Sequence, residues 1–417
     1  MNKQTFAIIG SGRVGLPFGL HVYEKGHDVI FCDTNEEILY SIAAGKMPFK
    51  EPRFDSLLRQ YSKHNCRVFS TVSSLPVEDI DIFVITVGTP VDQHIETNLS
   101  YVFSVVSDLC SCANLNNKTI MLRSTVAPKT TERLNKLIKS KVSDSCKVRL
   151  VTCPERLAEC KARDELQSLP QLCGVSSDED FDYLKSLYIF TDPIKLSWVS
   201  AELGKIFSNT YRYINFSISN YMMYIASQFG QDIHEIFSAI KKDYPRLNGL
   251  NSPGMVSGVC LRKDFGMIAE NMFASDLLMS AYRVNEFTPK FIADLVSGCN
   301  NIGIYGYTFK AGSDDIRDSL VPKLINYLVK DVPSFIWVYE PNIDISKIDY
   351  RVSIAQTLEE LFDKNDVIII ASNHWNDSLK NIYSKEAFLR KFPNKRVIDI
   401  WNFFGMGLDF TTGENNV

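Results

Sequence analysis

The sequence has no Cys-x-x-Cys pair and no dense cysteine framework; its ten cysteines are scattered over 417 residues. That excludes a disulfide-stapled scaffold or a zinc ribbon, and no metal is expected. Reduced thiols in a cytoplasmic protein are the expectation, most of them acting as small core residues. Excess positive charge is missing too: 45 Lys+Arg against 49 Asp+Glu give a net charge of −4, which argues against nucleic acid as a partner. Long apolar runs are absent. A stretch such as DVIIIAS at 366–372 falls far short of the ~20 residues that span a bilayer. The first apolar run is too short for a signal peptide and passes straight into glycines. No low-complexity tract or short repeat interrupts the chain. What is there, 45% hydrophobic and 23% charged residues, is a globular composition, and the length suggests two or three domains.

Short apolar runs alternate with helical stretches through the first half, as in a parallel sheet wrapped by helices. Strands are predicted at 5–9, 28–32, 67–70, 82–86, 118–123, 148–152 and 171–175. Helices are predicted at about 16–24, 35–44, 101–113 and 130–141. From Ser197 to about Phe229 the period becomes helical without a proline, and the apolar positions run around more than one face. A more ragged helical region follows to about residue 298. At Asn301 the alternation restarts, with strands at 301–305, 335–339, 367–371 and 396–400 and helices near 322–328 and 357–362. The fold class expected is α/β: two Rossmann-like, doubly wound parallel-sheet domains joined by a long central helix and a helical middle domain. The boundaries expected are 1–196, 197–298 and 299–417.

The first strand-to-helix turn reads Gly10-Ser11-Gly12-Arg13-Val14-Gly15, a full G-x-G-x-x-G. Gly10 permits the tight turn, Gly12 lets a pyrophosphate approach the backbone, and Gly15 lets helix and strand pack closely. The helix N-terminus offers N–H groups to the phosphates. Asp33, at the end of the second strand and 18 residues beyond Gly15, stands where an acid takes the ribose hydroxyls. A carboxylate there repels a 2′-phosphate, so NAD is expected rather than NADP. The plainer reading is a structural glycine turn with an Asp capping the next helix.

Cys260 stands in Gly258-Val259-Cys260-Leu261-Arg262-Lys263-Asp264, after a loop rich in Gly, Pro and Ser. A cysteine at a helix start beside Lys263 has a lowered thiol pKa, and Asp264 shares a helical face with it. The competing reading is a buried structural thiol. Lys205 and Asn209, four residues apart on the long helix, also share a face; their plain reading is a solvated surface pair. In Cys153-Pro154-Glu155-Arg156-Leu157-Ala158-Glu159 the two acids lie one helical turn apart after a strand end, where open α/β sheets bind ligands. That could equally be an ordinary helix N-terminus with acids near the dipole.

Together these motifs resemble the UDP-glucose/GDP-mannose dehydrogenase family, over nearly the whole chain and in order. GSGRVGLP at 10–17, VGTP at 87–90, STVAPKTT at 124–131, CPERLAE at 153–159, ELGKIFSNTYR at 202–212, SGVCLRKD at 257–264, YTFKAGSDDIRDS at 307–319 and VYEP at 338–341 are each similar to a family signature. The resemblance implies an NAD-dependent oxidation of a nucleotide sugar's C6 alcohol to a carboxylate, feeding surface polysaccharide precursors. It implies Cys260 as the nucleophile that carries a thiohemiacetal and then a thioester. Lys205 and Asn209 would stabilise the oxyanion, and Asp264, with Thr125 and Glu155 through water, would handle protons. Gly10, Gly12, Arg13, Val14, Gly15, Asp33, Thr89, Pro90, Ser124, Thr125, Glu159, Lys263 and Arg317 would line the cofactor. Glu155, Arg156, Leu157, Lys205, Asn209, Arg246, Ser257, Phe309 and Lys310 would hold the UDP-sugar, Arg246 reaching across a homodimer or higher homo-oligomer.

Two departures stand out: Met255 and Ser257 replace expected loop glycines, and Trp401 replaces an expected basic residue on the last strand. CPERLAE followed by SLPQLCGV is similar to the UDP-N-acetylhexosamine branch (UDP-N-acetylmannosamine or UDP-N-acetylglucosamine), with UDP-glucose the alternative. A two-electron hydroxyacid dehydrogenase would leave the Cys260 loop and the second α/β domain without a role. A non-catalytic NAD-binding protein would have no need of Cys260, Lys205, Asn209 and Asp264.

Overall fold

The computed structural model describes residues 3–90, 97–112, 114–269, 276–331, 335–374 and 384–413. Two compact units emerge: one comprises 1–209 and 266–271, the other 210–265 and 272–417.

The first unit carries strands β1 (Thr5–Ile9), β2 (Asp28–Cys32), β3 (Val68–Phe69), β4 (Ile82–Ile85), β5 (Thr119–Leu122), β6 (Arg149–Thr152), β7 (Gln171–Gly174) and β8 (Pro193–Leu196) in the order β3-β2-β1-β4-β5-β6-β7-β8. All neighbours are parallel except β6 and β7. Runs such as TFAII and IFVI are buried almost end to end, as strands covered by helices on both faces must be. The covering helices are α1 (Gly15–Glu24), α2 (Glu36–Ala43), α3 (Asp55–His64), α4 (Ser100–Cys112), α5 (Thr130–Lys141), α6 (Ala162–Ser168) and α7 (Asp178–Ser186). The first strand reverses the strand order, so β1 and β4 are adjacent and their carboxyl ends open a crevice. In open α/β sheets that is where ligands bind.

Helix α8 (Trp198–Gln228) has 31 residues, about 46 Å of helix, and crosses from the first unit into the second. After it come α9 (Ile233–Lys241), α10 (Val259–Ala269) and α11 (Asp276–Leu295). The second sheet holds β9 (Asn301–Tyr305), β10 (Phe335–Tyr339), β11 (Ser353–Ile354), β12 (Val367–Ile370), β13 (Arg396–Ile398) and β14 (Asp409–Thr411) in the order β11-β10-β9-β12-β13-β14. It repeats the reversal of the first sheet, at β9 and β12. Helices α12 (Val321–Asp331), α13 (Leu358–Lys364) and α14 (Lys385–Lys391) accompany it.

One expectation needs correcting, and two gain detail. Helices α3, α6 and α7 were not foreseen: they are polar, and DEDFDYLKS and DSLLRQYSKH bury only narrow stripes. Among the nine described cysteines Cys32, Cys153 and Cys173 are buried, Cys110, Cys146 and Cys299 pack partly buried against the core, and Cys66, Cys112 and Cys160 do neither. Helix α8 presents apolar residues on more than one face, as expected: Tyr211, Ile218, Tyr221, Met222 and Ile225, and Phe229 just past its end, are exposed, whereas Met223 and Ala226 are buried beside Asn215, Ser217, Ser219 and Asn220.

Candidate active site

In the first unit the glycine turn has the required shape. Gly10 adopts φ +96°, and a Cβ there would lie 2.8 Å from the Thr86 carbonyl carbon. A Cβ on Gly15 would lie 1.9 Å from the Gly10 oxygen, so α1 touches the turn it leaves. A Cβ on Gly12 would meet nothing within 4 Å, which is open room above a bare backbone for a pyrophosphate. Asp33 is half-buried and aimed: its carboxylate accepts the Ser11 N–H at 2.6 Å and the Asn35 N–H at 2.9 Å. These residues fit NAD. The plainer alternative, in which Asp33 caps the next helix, fails because Asn35 is the cap of α2 and accepts from Glu37 and Ile38.

The turns after β4 and β5 are bound to each other. Thr89 Oγ1 donates to the Thr125 carbonyl at 2.7 Å, and Ser124 Oγ donates to the Val87 carbonyl at 2.7 Å. Thr125 and Pro90 remain partly or fully open. Glu202, buried on α8, accepts from the Lys129 and Thr131 N–H groups at 2.7 Å and from Thr131 Oγ1 at 2.6 Å, fixing the end of STVAPKTT. Burial pushes the Glu202 carboxyl up, opposed by these hydrogen bonds.

Residues 153–158 belong to neither helix nor strand, so Glu155 and Glu159 do not share a helical turn. Pro154 and the long approach to α6 keep this stretch out of a helix. Glu155 is buried and accepts from the Leu157 N–H, while Arg156 donates to the Pro170 carbonyl. Glu159 stands 3.8 Å from Arg13, and Leu157 packs on the core. Lys205 and Asn209 are 4% and 6% exposed, so the solvated-pair reading of them is wrong.

In the second unit α10 begins at Val259, placing Cys260 in its first turn; the Cys260 side chain lies outside the described parts of the structure. Asp264, four positions on, is 1% exposed, and Lys263 is half-buried. Ser257 Oγ lies 3.4 Å from the Phe309 carbonyl, and the Phe309 ring lies against Gly258. Lys310 is half-buried on the same loop. Arg317 forks onto Asp315 at 2.6–3.0 Å. Arg246 is exposed and lies 3.2 Å from the Tyr244 hydroxyl.

Sequence reasoning missed the support of this loop. Glu340, at the end of β10, accepts from the Tyr307 N–H (2.7 Å), the Thr308 N–H (3.1 Å) and His374 Nε2 (2.9 Å) through one oxygen. The other accepts from the Asn342 N–H (2.8 Å) and Nδ2 (3.0 Å). Gly312 N–H donates to His374 Nδ1 at 2.9 Å, which leaves the ring proton on Nε2 facing Glu340. Burial alone would raise the Glu340 carboxyl, but the His374 hydrogen bond and the backbone donors outweigh it and hold it below its ordinary value. VYEP marks the acid; no motif marks a histidine 34 residues later.

A doubly wound sheet with this glycine turn and Asp33 defines a dinucleotide-binding protein. Family models extend that over most of the chain. Those of the UDP-glucose/GDP-mannose dehydrogenase family match residues 4–191 (NAD binding domain), 199–286 (central domain) and 303–406 (UDP binding domain). The chain belongs to this family and is an NAD-dependent nucleotide-sugar dehydrogenase. It is 27% identical to a UDP-N-acetyl-D-mannosamine dehydrogenase of Methanococcus maripaludis, over 96% of this chain and 93% of that one. Equally, it is 27% identical to a UDP-glucose 6-dehydrogenase of Rickettsia bellii, over 95% of each. In fold it matches a UDP-D-ManNAc dehydrogenase of Pyrococcus horikoshii with a TM-score of 0.82 at 24% identity, over 95% of this chain and 94% of that one.

Proposed function

We propose that this enzyme oxidises the C6 alcohol of a UDP-sugar to the carboxylate in two successive two-electron steps. Its preferred substrate would be UDP-N-acetyl-D-mannosamine or UDP-N-acetylglucosamine, in the cytoplasm, for surface polysaccharide precursors. The observation that carries this reading is the buried Lys205–Asn209 pair on α8. Lys205 brings ammonium N–H donors and Asn209 amide N–H donors, four residues apart on the helix, and such donors suit an oxygen that carries negative charge. NAD, when bound, accepts the hydrides. Cys260 adds to the aldehyde carbon, giving a tetrahedral adduct that can lose hydride; the resulting thioester is opened by water. Lys205 and Asn209 stabilise the oxygen that carries charge in each step. Asp264 takes protons, and Thr125 and Glu155 order water. Gly10, Gly12, Arg13, Val14, Gly15, Thr89, Pro90, Ser124, Glu159, Lys263 and Arg317 hold the cofactor, with Asp33 on its ribose. Arg156, Leu157, Ser257, Phe309 and Lys310 hold the UDP-sugar.

We further infer a homodimer in which a second copy covers the apolar stripe of Ile218, Tyr221, Met222 and Ile225 on α8, continued by Phe229 just past its end. Single exposed apolar residues are ordinary, but one helix showing four within eight positions marks an interface. Arg246 would then reach the partner's sugar. Tyr221→Asp with Ile225→Asp should give a monomer by sedimentation, and an unchanged dimer would sink this part.

The test of the activity is a panel of UDP- and GDP-sugars with NAD, counting NADH formed per sugar consumed. Two NADH with UDP-N-acetylhexosamines supports the reading. Two with UDP-glucose alone supports the second reading, which the Rickettsia relative's name favours. One NADH, or none, refutes the four-electron reaction.

A further inference from the structure

The segment Pro253–Gly258 leads into α10 and is held at both ends within the second unit. Asn220, buried on α8, grips Gly254 twice: its Nδ2 donates to the Gly254 carbonyl at 3.0 Å, and its Oδ1 accepts the Gly254 N–H at 2.9 Å. Asn220 is itself fixed by Asn285 Oδ1 at 3.0 Å. At the other end the Gly258 N–H donates to the Asp318 carbonyl at 3.3 Å, and Gly258 adopts φ +97° against the Phe309 ring. Between them Met255 and Val256 are buried. Met255 therefore stands in the core, which explains how the loop tolerates a bulky residue where a glycine was expected.

The remaining wall at Gly254 is Trp401. A Cβ on Gly254 would lie 2.1 Å from Trp401 Cζ3 and 2.4 Å from Cη2, so the six-membered ring lies flush on the glycine. The indole N–H donates to the Ala371 carbonyl at 3.0 Å, which fixes the ring plane. A basic residue at this position could not form that wall.

We propose that Trp401 is a positioning residue for Cys260. Its six-membered ring fills the space into which a Gly254 Cβ would project, backing the glycine that Asn220 grips. It thereby sets the entry of the chain into α10, six residues before the sulfur. Sub-ångström placement of a nucleophile is worth one to two powers of ten in rate, so a wall at this distance carries kinetic weight. The proposal rests on the reading of Cys260 as the nucleophile.

The test uses the full-length enzyme with UDP-N-acetylmannosamine and NAD, plus iodoacetamide labelling of Cys260 followed by peptide mass spectrometry. Trp401→Phe withdraws the benzo edge but stays apolar; Trp401→Ala removes the wall. Both should lower kcat about tenfold or more, leave KM for NAD within about twofold, and change the pH profile of Cys260 alkylation. Gly254→Ala should be as damaging as Trp401→Ala in the wild-type background. Combined with Trp401→Ala it should add less than about threefold, because the added methyl then has room. Folded Trp401 variants that keep kcat and alkylation profile within about twofold of wild type would reduce Trp401 to core filling and overturn the proposal. So would a Gly254→Ala effect of equal size in both backgrounds. Should Trp401→Ala fail to fold, Trp401→Phe decides alone. The alkylation readout needs no turnover. If Cys260→Ala still makes acid, the nucleophile reading falls, and the Trp401 effect on labelling survives or fails separately.

Discussion

Replacing Glu340 by Gln tests how the 307–319 loop is held, because it keeps shape while exchanging one acceptor for a donor. In the wild type the two carboxylate oxygens accept five hydrogen bonds, from Tyr307, Thr308, His374 and twice from Asn342. The amide can turn its NH2 toward Asn342, stranding two donors, or toward the loop, stranding three. The first is cheaper. Each stranded donor costs about 1–3 kcal/mol where water is excluded, and Asn342 is only half-buried, so about 2–4 kcal/mol is expected in all. The sign with pH follows from the lowered carboxyl: its stabilisation is present above the ordinary carboxylate range and lost as the pH falls through its folded value. The deficit of Glu340→Gln should thus be largest at neutral pH and shrink in acid. Urea unfolding followed by intrinsic tryptophan fluorescence gives the midpoint. Hydrogen exchange at the Tyr307 and Thr308 amides reports the loop itself, and both amides should lose protection. An unchanged midpoint with both amides still protected would refute the reasoning.

Three further outcomes are expected. Asp399 is buried, and burial pushes its carboxyl up to about 6 against the opposing Phe404 and Phe403 N–H groups. The folded state then holds the extra proton between pH ~4 and ~6, so stability falls as pH rises through that window by on the order of 3 kcal/mol. Asp399→Asn should flatten this, read as the wild-type-minus-variant difference in urea midpoint at pH 4.5, 5.5 and 7; parallel curves would contradict it. Asp33→Ser should weaken NAD and improve NADP use; an unmoved ratio of kcat/KM values would sink the ribose assignment. Cys260→Ser gives an ester-like adduct that hydrolyses slowly, so intact-protein mass spectrometry should show one nucleotide-sugar acyl group retained, while Cys260→Ala makes no acid.

Local periodicity and motif spacing made most strands legible, because a buried parallel strand is a short apolar run whatever surrounds it. Thr5–Ile9, Asp28–Cys32 and Asn301–Tyr305 fall where the runs end. The glycine turn was equally legible, since its demands are met by residues next to one another in the chain. The siding of α8 was not. Apolar positions on more than one face do not say which face packs within the chain; that face carries Asn215, Ser219 and Asn220 beside Met223 and Ala226, and the three polar residues bond to backbone 32–36 residues away. Nothing within α8 announces those partners. Likewise the 153–159 acids looked helical by spacing, and only Pro154 hinted at the irregular path.

The two sheets show how one local device serves two ends. Gly10 follows β1 with φ +96° and Gly306 follows β9 with φ +92°; the next N–H in each, that of Ser11 or Tyr307, donates to an acid just past the second strand, Asp33 or Glu340. A Cβ on either glycine would strike the chain leaving the fourth strand, at Thr86–Val87 or at Ser372. Geometry to this point is the same. What differs is what covers the acid. Asp33 stays half-open, with Gly12 two residues beyond the turn leaving bare backbone, so its remaining lone pairs can serve a ribose. Glu340 is capped by His374 and Asn342, and the position matching Gly12 is Thr308, whose hydroxyl turns inward to the Lys310 carbonyl. The second acid has no face left for a ligand; its charge is spent on ordering the loop. Among the described residues, this turn forms an open backbone cradle for a pyrophosphate in the first unit and not in the second, where we propose that a nucleotide is read by side chains of the ordered loop, Phe309 and Lys310 first.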